Sequence, residues 1–105
     1  MNAAETKERL RADLRKALKE KRGEAAVLRT LIAALDNAEA PPLENRTGSD
    51  SEILRLELSP DQVQAILLAE FQERQRSAAQ YRELGLAARA DAAGAEAEIV
   101  RRYLG

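Results

Sequence analysis

Cysteine and histidine are both absent from the 105-residue sequence. Without cysteine the chain has no disulfide, no thiolate nucleophile and no sulfur ligand for a metal ion. Without histidine it also lacks the commonest general base and the commonest transition-metal ligand of proteins. The two absences argue against an enzyme with its own active site and favour a protein that acts by binding a partner. We therefore expect no cofactor and no metal ion.

Aromatic residues are nearly as scarce, at 3% of the chain, and no apolar run reaches the roughly 18 residues of a membrane span. The N-terminal sequence leads directly into charged residues and shows no apolar stretch typical of a signal peptide. We therefore expect a cytoplasmic protein without membrane contact. The apolar residues that are present are mostly Ala and Leu, which are strong helix formers. Together with the short length, this composition predicts a single helical domain over residues 1–105.

Four segments show apolar residues at the three- and four-residue spacing of an amphipathic helix. They lie at about residues 4–22, 24–39, 60–84 and 88–104. The second segment has the widest apolar face, so we expect it to be the most buried. Ser59 and Gln62 have the spacing of a capping box around Pro60, which predicts the start of the third helix. The predicted apolar faces include Leu10, Leu14, Ala17 and Leu18 in the first segment and Ala92, Ala95, Ile99 and Tyr103 in the fourth.

Short links separate the helices within each pair. Gly23 follows the first segment as a natural stop, and Gly85 follows the third. Such links produce antiparallel helical hairpins. Residues 40–58 contain two prolines followed by Asn, Thr, Gly, Ser and Asp, which is typical of a loop, although the apolar residues at 53–58 also allow a short strand or a single helical turn. The prediction is an all-α bundle of about four helices, made of two helical hairpins with a long loop between helices two and three.

Several charged helical motifs occur in a fixed order along the chain. They are LRTLIAAL at 28–35, LSPDQV at 58–63, EFQERQRS at 70–77, YRELG at 81–85 and AEAEIV at 95–100, with a final YL at 103–104. Each motif alone is degenerate, but their order and spacing resemble the GatB/YqeY family. The resemblance covers nearly the whole chain.

The resemblance implies an all-helical domain similar to the tail of the B subunit of the glutamine-dependent amidotransferase that acts on misacylated tRNA. In that enzyme the tail contacts tRNA and the chemistry takes place in other domains. The resemblance therefore implies a non-catalytic domain that binds tRNA or is accessory to the amidotransferase. The family label, carbon–nitrogen ligase with glutamine as amido donor, comes from that enzyme.

A second function remains open. Typical members of the family continue past the positions of Tyr103 and Leu104 into a second small helical domain. If the face that this domain covers is exposed here, the chain is expected to act as a protein–protein interaction module. It would then form a homodimer through the C-terminal helix and have no RNA role. Exposed apolar side chains at Ile99, Tyr103 and Leu104 would favour this alternative.

Two groups of basic residues are candidate nucleic-acid contacts, since regularly spaced cations attract phosphate groups through counterion release. Residues 1–22 contain eight basic and four acidic side chains, an excess of four positive charges. The overall net charge of −1 and the acidic residues between the cations favour instead an ordinary solvated helix face. For the second group the alternative is ion pairing within a helix, Glu70 with Arg74 and Glu73 with Arg76. The candidates are Lys7, Arg11, Arg15, Lys19 and Arg22 in the first group and Arg29, Arg74 and Arg76 in the second.

No catalytic or metal-binding residue is predicted. Ser77 and Tyr81 carry hydroxyl groups, but a nucleophilic hydroxyl needs an adjacent base, and all four lysines lie near the N-terminus. The carboxylates of the third and fourth segments do not suggest a helical di-metal site, because such sites use Glu-x-x-His motifs.

Overall fold

The computed structural model describes residues 2–40 and 56–105. These residues form four α-helices, α1 (Ala3–Lys19), α2 (Ala25–Glu39), α3 (Pro60–Glu83) and α4 (Ala87–Arg101), and contain no strand. The prediction of an all-α bundle with two helical hairpins is confirmed. The loop predicted for residues 40–58, with its strand or single-turn alternative, lies largely outside the described residues.

The first hairpin turns at Lys21, which has a left-handed backbone with φ of 56°. Next to it, the Arg22 N–H donates to the Ala17 carbonyl at 2.8 Å, and the Lys21 N–H donates to the Leu18 carbonyl at 3.3 Å. This is the pattern of a Schellman motif, in which N–H groups just after the helix donate to carbonyls of its last turns. The motif usually has glycine at the left-handed position. Gly23, which was expected to end the helix, lies two residues beyond it.

The second hairpin turns at Gly85, as predicted. Its φ is 75°, a conformation that only glycine adopts at little cost. The Leu86 N–H donates to the Tyr81 carbonyl at 2.9 Å and the Gly85 N–H to the Arg82 carbonyl at 3.1 Å. The same motif therefore reverses the chain in both hairpins.

The predicted capping box at the start of α3 is confirmed. The Gln62 N–H donates to Ser59 Oγ at 3.1 Å, and the Ser59 N–H donates to Gln62 Oε1 at 2.8 Å. Two N–H groups near the helix start, which have no partner within the helix, are satisfied in this way.

The hydrophobic core lies around α2, which packs on α1 and contacts both α3 and α4. This agrees with the prediction that the second helix is the most buried. The other three helices all place side chains against α2, so the buried residues at this point hold the two hairpins together. The fully buried large side chains are Leu28, Leu31 and Leu35 of α2 with Leu10, Val63, Leu67 and Val100 of the other helices.

Two details of the predicted apolar faces are wrong. Leu18 is 48% exposed, because the buried face of α1 is centred on Leu10 and Ala17. In α4 the buried residues are Ala90, Ala93, Ala97 and Val100, whereas Ala92 and Ala95 are exposed. Alanines occur on every side of α4, so the pattern of polar and apolar residues does not mark its buried face.

The far half of the second hairpin lies outside the main core. The principal cluster of apolar side chains extends only as far as Phe71 on α3 and Ile99 on α4. Beyond these residues the two helices bury small side chains, namely Ala78, Ala90, Ala93 and Ala97. This part of the hairpin therefore contributes little apolar burial to the core around α2.

Candidate nucleic-acid interface

Three of the predicted cations form a row on the exposed side of α1. Arg11, Arg15 and Lys19 follow each other at four-residue intervals, about one helical turn each. Arg15 lies 3.5 Å from Glu8, and both side chains are about two-thirds exposed. Among the described residues, no carboxylate lies within 4.0 Å of Arg11 or Lys19. We refer to Arg11, Arg15 and Lys19 as the α1 ridge.

The other two members of the first group lie elsewhere. Lys7 is buried, and its Nζ forms an ion pair with Glu39 Oε1 at 2.6 Å. The same Nζ donates a hydrogen bond to Asp36 Oδ1 at 3.3 Å. Its charge is therefore directed into the α1–α2 interface. Arg22 lies in the turn after α1, paired with Glu20 and Glu24.

The second group does not form one surface. Arg74 is mostly buried. It forms an ion pair with Glu70 on its own helix at 3.1 Å and a second one with Glu96 on α4 at 3.4 Å. Arg76 pairs with Glu73 at 2.5 Å on the exposed side of α3. The intrahelical pairs that were the alternative explanation for these arginines are thus both present. Arg29 is exposed on α2 and has no carboxylate within 4.0 Å in the described ranges.

A cleft of about 120 Å³ lies on another side of α1, where the α1–α2 turn meets the segment after α4. We call it the α1 cleft. Charged side chains form most of its wall, and they come from three parts of the chain. The lining residues are Arg9, Asp13, Lys16, Arg22, Glu24, Leu28, Arg102 and Tyr103.

Tyr103 is the buried anchor of this cleft. Its hydroxyl donates to Asp13 Oδ2 at 2.5 Å, and the Arg9 guanidinium lies 4.6 Å from the centre of its ring. Arg9 also donates from Nη2 to the Arg102 carbonyl at 3.2 Å. Burial, and then the hydrogen bond to Asp13, raise the pKa of Tyr103 above its ordinary value of about 10. The hydroxyl therefore remains a donor at neutral pH.

Glu24 connects the α1–α2 turn to the end of the chain. Arg102 Nη1 lies 2.8 Å from Glu24 Oε2, and Arg22 Nη1 lies 3.2 Å from Glu24 Oε1. Hydrogen bonds from Arg102 and then from Arg22 lower the pKa of Glu24, and the bond to Glu24 raises the pKa of Arg22. Glu24 is thus held as an anion between two guanidinium groups.

The Tyr103 hydroxyl gives a pH-dependent prediction. Tyr103→Phe is expected to lower the free energy of unfolding by about 1–2 kcal/mol at pH 7, because a hydrogen bond to a carboxylate is lost. Since the pKa of Tyr103 is raised by folding, its contribution is complete below about pH 10 and is lost as the pH rises above that value. Urea denaturation at pH 7 and above pH 10 measures both effects. Tyr81→Phe, at a partly buried tyrosine with no hydrogen bond from its hydroxyl within the described chain, is the control. An equal loss in the two variants at pH 7 would contradict the assigned role.

The sequence interpretation did not identify the α1 cleft. Arg9 and Lys16 are seven residues apart and lie on one side of α1, a spacing that could have been noticed. Arg102 is 93 residues from Arg9, so nothing in the local sequence indicates their contact.

The homodimer alternative depended on exposed apolar residues at the end of the chain. Tyr103 is instead only 6% exposed, and Ile99 and Leu104 pack against the core cluster of the same chain. These side chains therefore do not supply the exposed patch on which that hypothesis relied.

Chemical groups that suggest catalysis do not converge in the described residues. Ser77 and Tyr81 line a shallow pocket with Arg74, Arg89 and Glu96. Within residues 2–40 and 56–105, no group of three acidic side chains could hold a metal ion. No helix in these ranges has both the length and the apolar character needed to cross a membrane.

Comparison with known proteins identifies the family. The family model described as "Yqey-like protein" matches residues 7–105. No curated protein and no solved structure matches the chain. The matched region includes all of α2, α3 and α4 and most of α1. The chain therefore belongs to the YqeY-like protein family.

Proposed function

We propose that the chain is a single non-catalytic domain that binds the phosphate backbone of tRNA through the α1 ridge, as an accessory to tRNA-dependent amidation. The observation that carries this proposal is the row of three exposed cations one helical turn apart on α1. Membership of the YqeY-like family, which is related to the B subunit of the amidotransferase, supports the choice of tRNA.

The geometry of the ridge suits a phosphate backbone better than a single ligand. Its side chains extend along about two turns of α1, roughly 12 Å, so they can contact successive phosphates. Arg11 and Lys19 have no carboxylate neighbour in the described residues and need break no ion pair to bind. Arg15 must give up only a two-thirds exposed partner, Glu8, and such surface pairs contribute at most about 1 kcal/mol.

The lack of a catalytic constellation in the sequence fits an accessory role. With no His and no Cys, the chain has no ordinary base or thiolate for amide transfer. A partner enzyme would supply the chemistry, and this domain would supply contacts to the RNA.

Three phosphate contacts predict weak binding that depends strongly on salt. The logarithm of the tRNA association constant is expected to fall with the logarithm of salt concentration at a slope of about −2 to −3. Replacing the ridge by glutamine, as Arg11→Gln, Arg15→Gln and Lys19→Gln together, should remove most of the affinity and most of the slope. Fluorescence anisotropy with labelled tRNA across a salt series measures both quantities.

A matched control removes three positive charges from the second hairpin. Arg82, Arg89 and Arg101 are exposed and lie outside the ridge, so changing all three to glutamine should alter the affinity much less. Equal losses in the two triple variants would show that net charge matters and the ridge does not. Absence of tRNA binding at low salt, with light scattering that gives twice the monomer mass, would overturn the proposal and favour the homodimer.

A further inference from the structure

The α1 cleft contains two cations without a carboxylate partner. In the described part of the chain, no carboxylate lies within 4.0 Å of Arg9 or Lys16. They are seven residues apart, which places their backbones about two turns, or roughly 10 Å, from each other on one side of α1. Because both are long side chains, their charged groups can reach the same small cleft.

The remaining charges of the cleft are already engaged. Glu24 pairs with both Arg22 and Arg102, and Glu20 pairs with Arg22 from outside the cleft. Asp13 accepts the hydrogen bond of the Tyr103 hydroxyl. Among the lining residues, four cations face two carboxylates, an excess of two positive charges. The two cations that remain without a carboxylate partner in the described residues are Arg9 and Lys16.

Arg9 is held in a fixed position. Its guanidinium lies over the Tyr103 ring and donates one Nη2 hydrogen to the Arg102 carbonyl, which leaves Nε, Nη1 and the second Nη2 hydrogen without a partner in the described residues. A fixed guanidinium fork suits a planar or tetrahedral oxyanion, and the Lys16 ammonium adds a mobile point charge.

We propose that the α1 cleft binds the phosphate group of a small ligand, either inorganic phosphate or a phosphomonoester, between Arg9 and Lys16. Two cations without a carboxylate partner suit a doubly charged phosphate better than a single carboxylate. The volume of about 120 Å³ is large enough for such a group. The site is separate from the α1 ridge and does not depend on tRNA binding.

A bound phosphate would connect three parts of the chain. Arg9 and Lys16 belong to α1, Arg22 and Glu24 to the α1–α2 turn, and Arg102 to the segment after α4. A ligand that binds only the folded chain raises its stability in proportion to the logarithm of ligand concentration. Bound phosphate is therefore expected to raise the melting temperature of the protein, which gives a second readout besides the binding measurement itself.

The test is titration with inorganic phosphate and with glycerol phosphate, by calorimetry and by thermal unfolding, against chloride at equal ionic strength. Lys16→Gln is expected to weaken phosphate binding about tenfold, because one charge-assisted contact is lost. Arg9→Gln should have a similar effect. Lys21→Gln is the matched control, since it makes the same change at an exposed lysine that does not line the cleft, and it should stay within about twofold. Lys16 is exposed, so its variant is expected to fold normally, and circular dichroism verifies the helix content.

Two results would overturn the inference. One is the absence of saturable phosphate binding by the unmodified protein at millimolar concentrations. The other is an unchanged affinity in Lys16→Gln. The first of these results, combined with binding of an RNA oligomer and no binding of glycerol phosphate, would reject a small-ligand site. The ridge variant with Arg11, Arg15 and Lys19 changed to Gln should retain phosphate binding, so the two proposals can fail independently.

Discussion

Leu31→Ala is expected to lower the free energy of unfolding by about 3–4 kcal/mol, within the range of 2–5 kcal/mol for Leu→Ala changes in protein cores. Leu31 is fully buried at the centre of α2, the helix that contacts the other three. The loss combines the transfer of three side-chain carbon atoms with the cavity that remains. A domain of this size has a total stability of about 5–10 kcal/mol, so the variant would retain little margin. Urea denaturation followed by circular dichroism measures the difference.

Leu18→Ala provides the control for this prediction, because it makes the identical chemical change on α1. Leu18 is 48% exposed, so the expected loss is below about 1 kcal/mol. The comparison removes the effect of helix propensity, which is the same in both variants. Similar losses for Leu31→Ala and Leu18→Ala would mean that the core is not centred on α2.

The second large effect is expected at the ion pair between α1 and α2. Lys7 and Glu39 have side chains only 11% and 12% exposed, with Nζ 2.6 Å from Oε1. Replacing Lys7 by Met is expected to lower the free energy of unfolding by about 3 kcal/mol, because Glu39 is left as a charge with little access to water. Glu39→Met should have a similar effect on Lys7, reduced by the contact that remains to Asp36 at 3.3 Å.

The double variant distinguishes a paired charge from two independent packing losses. With Lys7 and Glu39 both changed to Met, no uncompensated charge remains between them, and the loss should be smaller than either single loss. Arg76 and Glu73 provide a matched pair on the surface, at 65% and 63% exposure, where a coupling below about 1 kcal/mol is expected. Additive losses at Lys7 and Glu39 would contradict the role assigned to the pair.

The sequence predicted the helices and hairpins because these depend on local patterns. Capping residues, turn glycines and apolar spacing act over a few residues, and Ser59, Gln62 and Gly85 occupy the predicted positions. The buried face of α4 could not be predicted in the same way. Its contact residues are alanines, which occur on all its sides, so only packing against α3 decides which of them are buried.

The candidate site was predictable only in its local part. The four-residue spacing of Arg11, Arg15 and Lys19 indicated a row on one side of a helix, and these residues do lie on the exposed side of α1. Lys7 has the same spacing, yet it faces Glu39, which is 32 positions away in the sequence. The α1 cleft depends on contacts between Arg9 and Arg102 and between Asp13 and Tyr103 at the two ends of the chain. No periodic pattern reports such contacts.

The restriction of the main core to one half of the second hairpin has a consequence for hydrogen exchange. Between Phe71 and Ile99 the two helices are held by small alanine contacts and by the Arg74–Glu96 and Arg82–Asp91 ion pairs rather than by large apolar side chains. Regions with little apolar burial open at a lower free energy than the whole domain. Amide protons near Gly85 are therefore expected to exchange through partial opening of the hairpin tip, while those of α2 exchange only through global unfolding. The free energy of local opening is therefore expected to fall along α3, from Leu67 in the main core to the hairpin tip at Gly85.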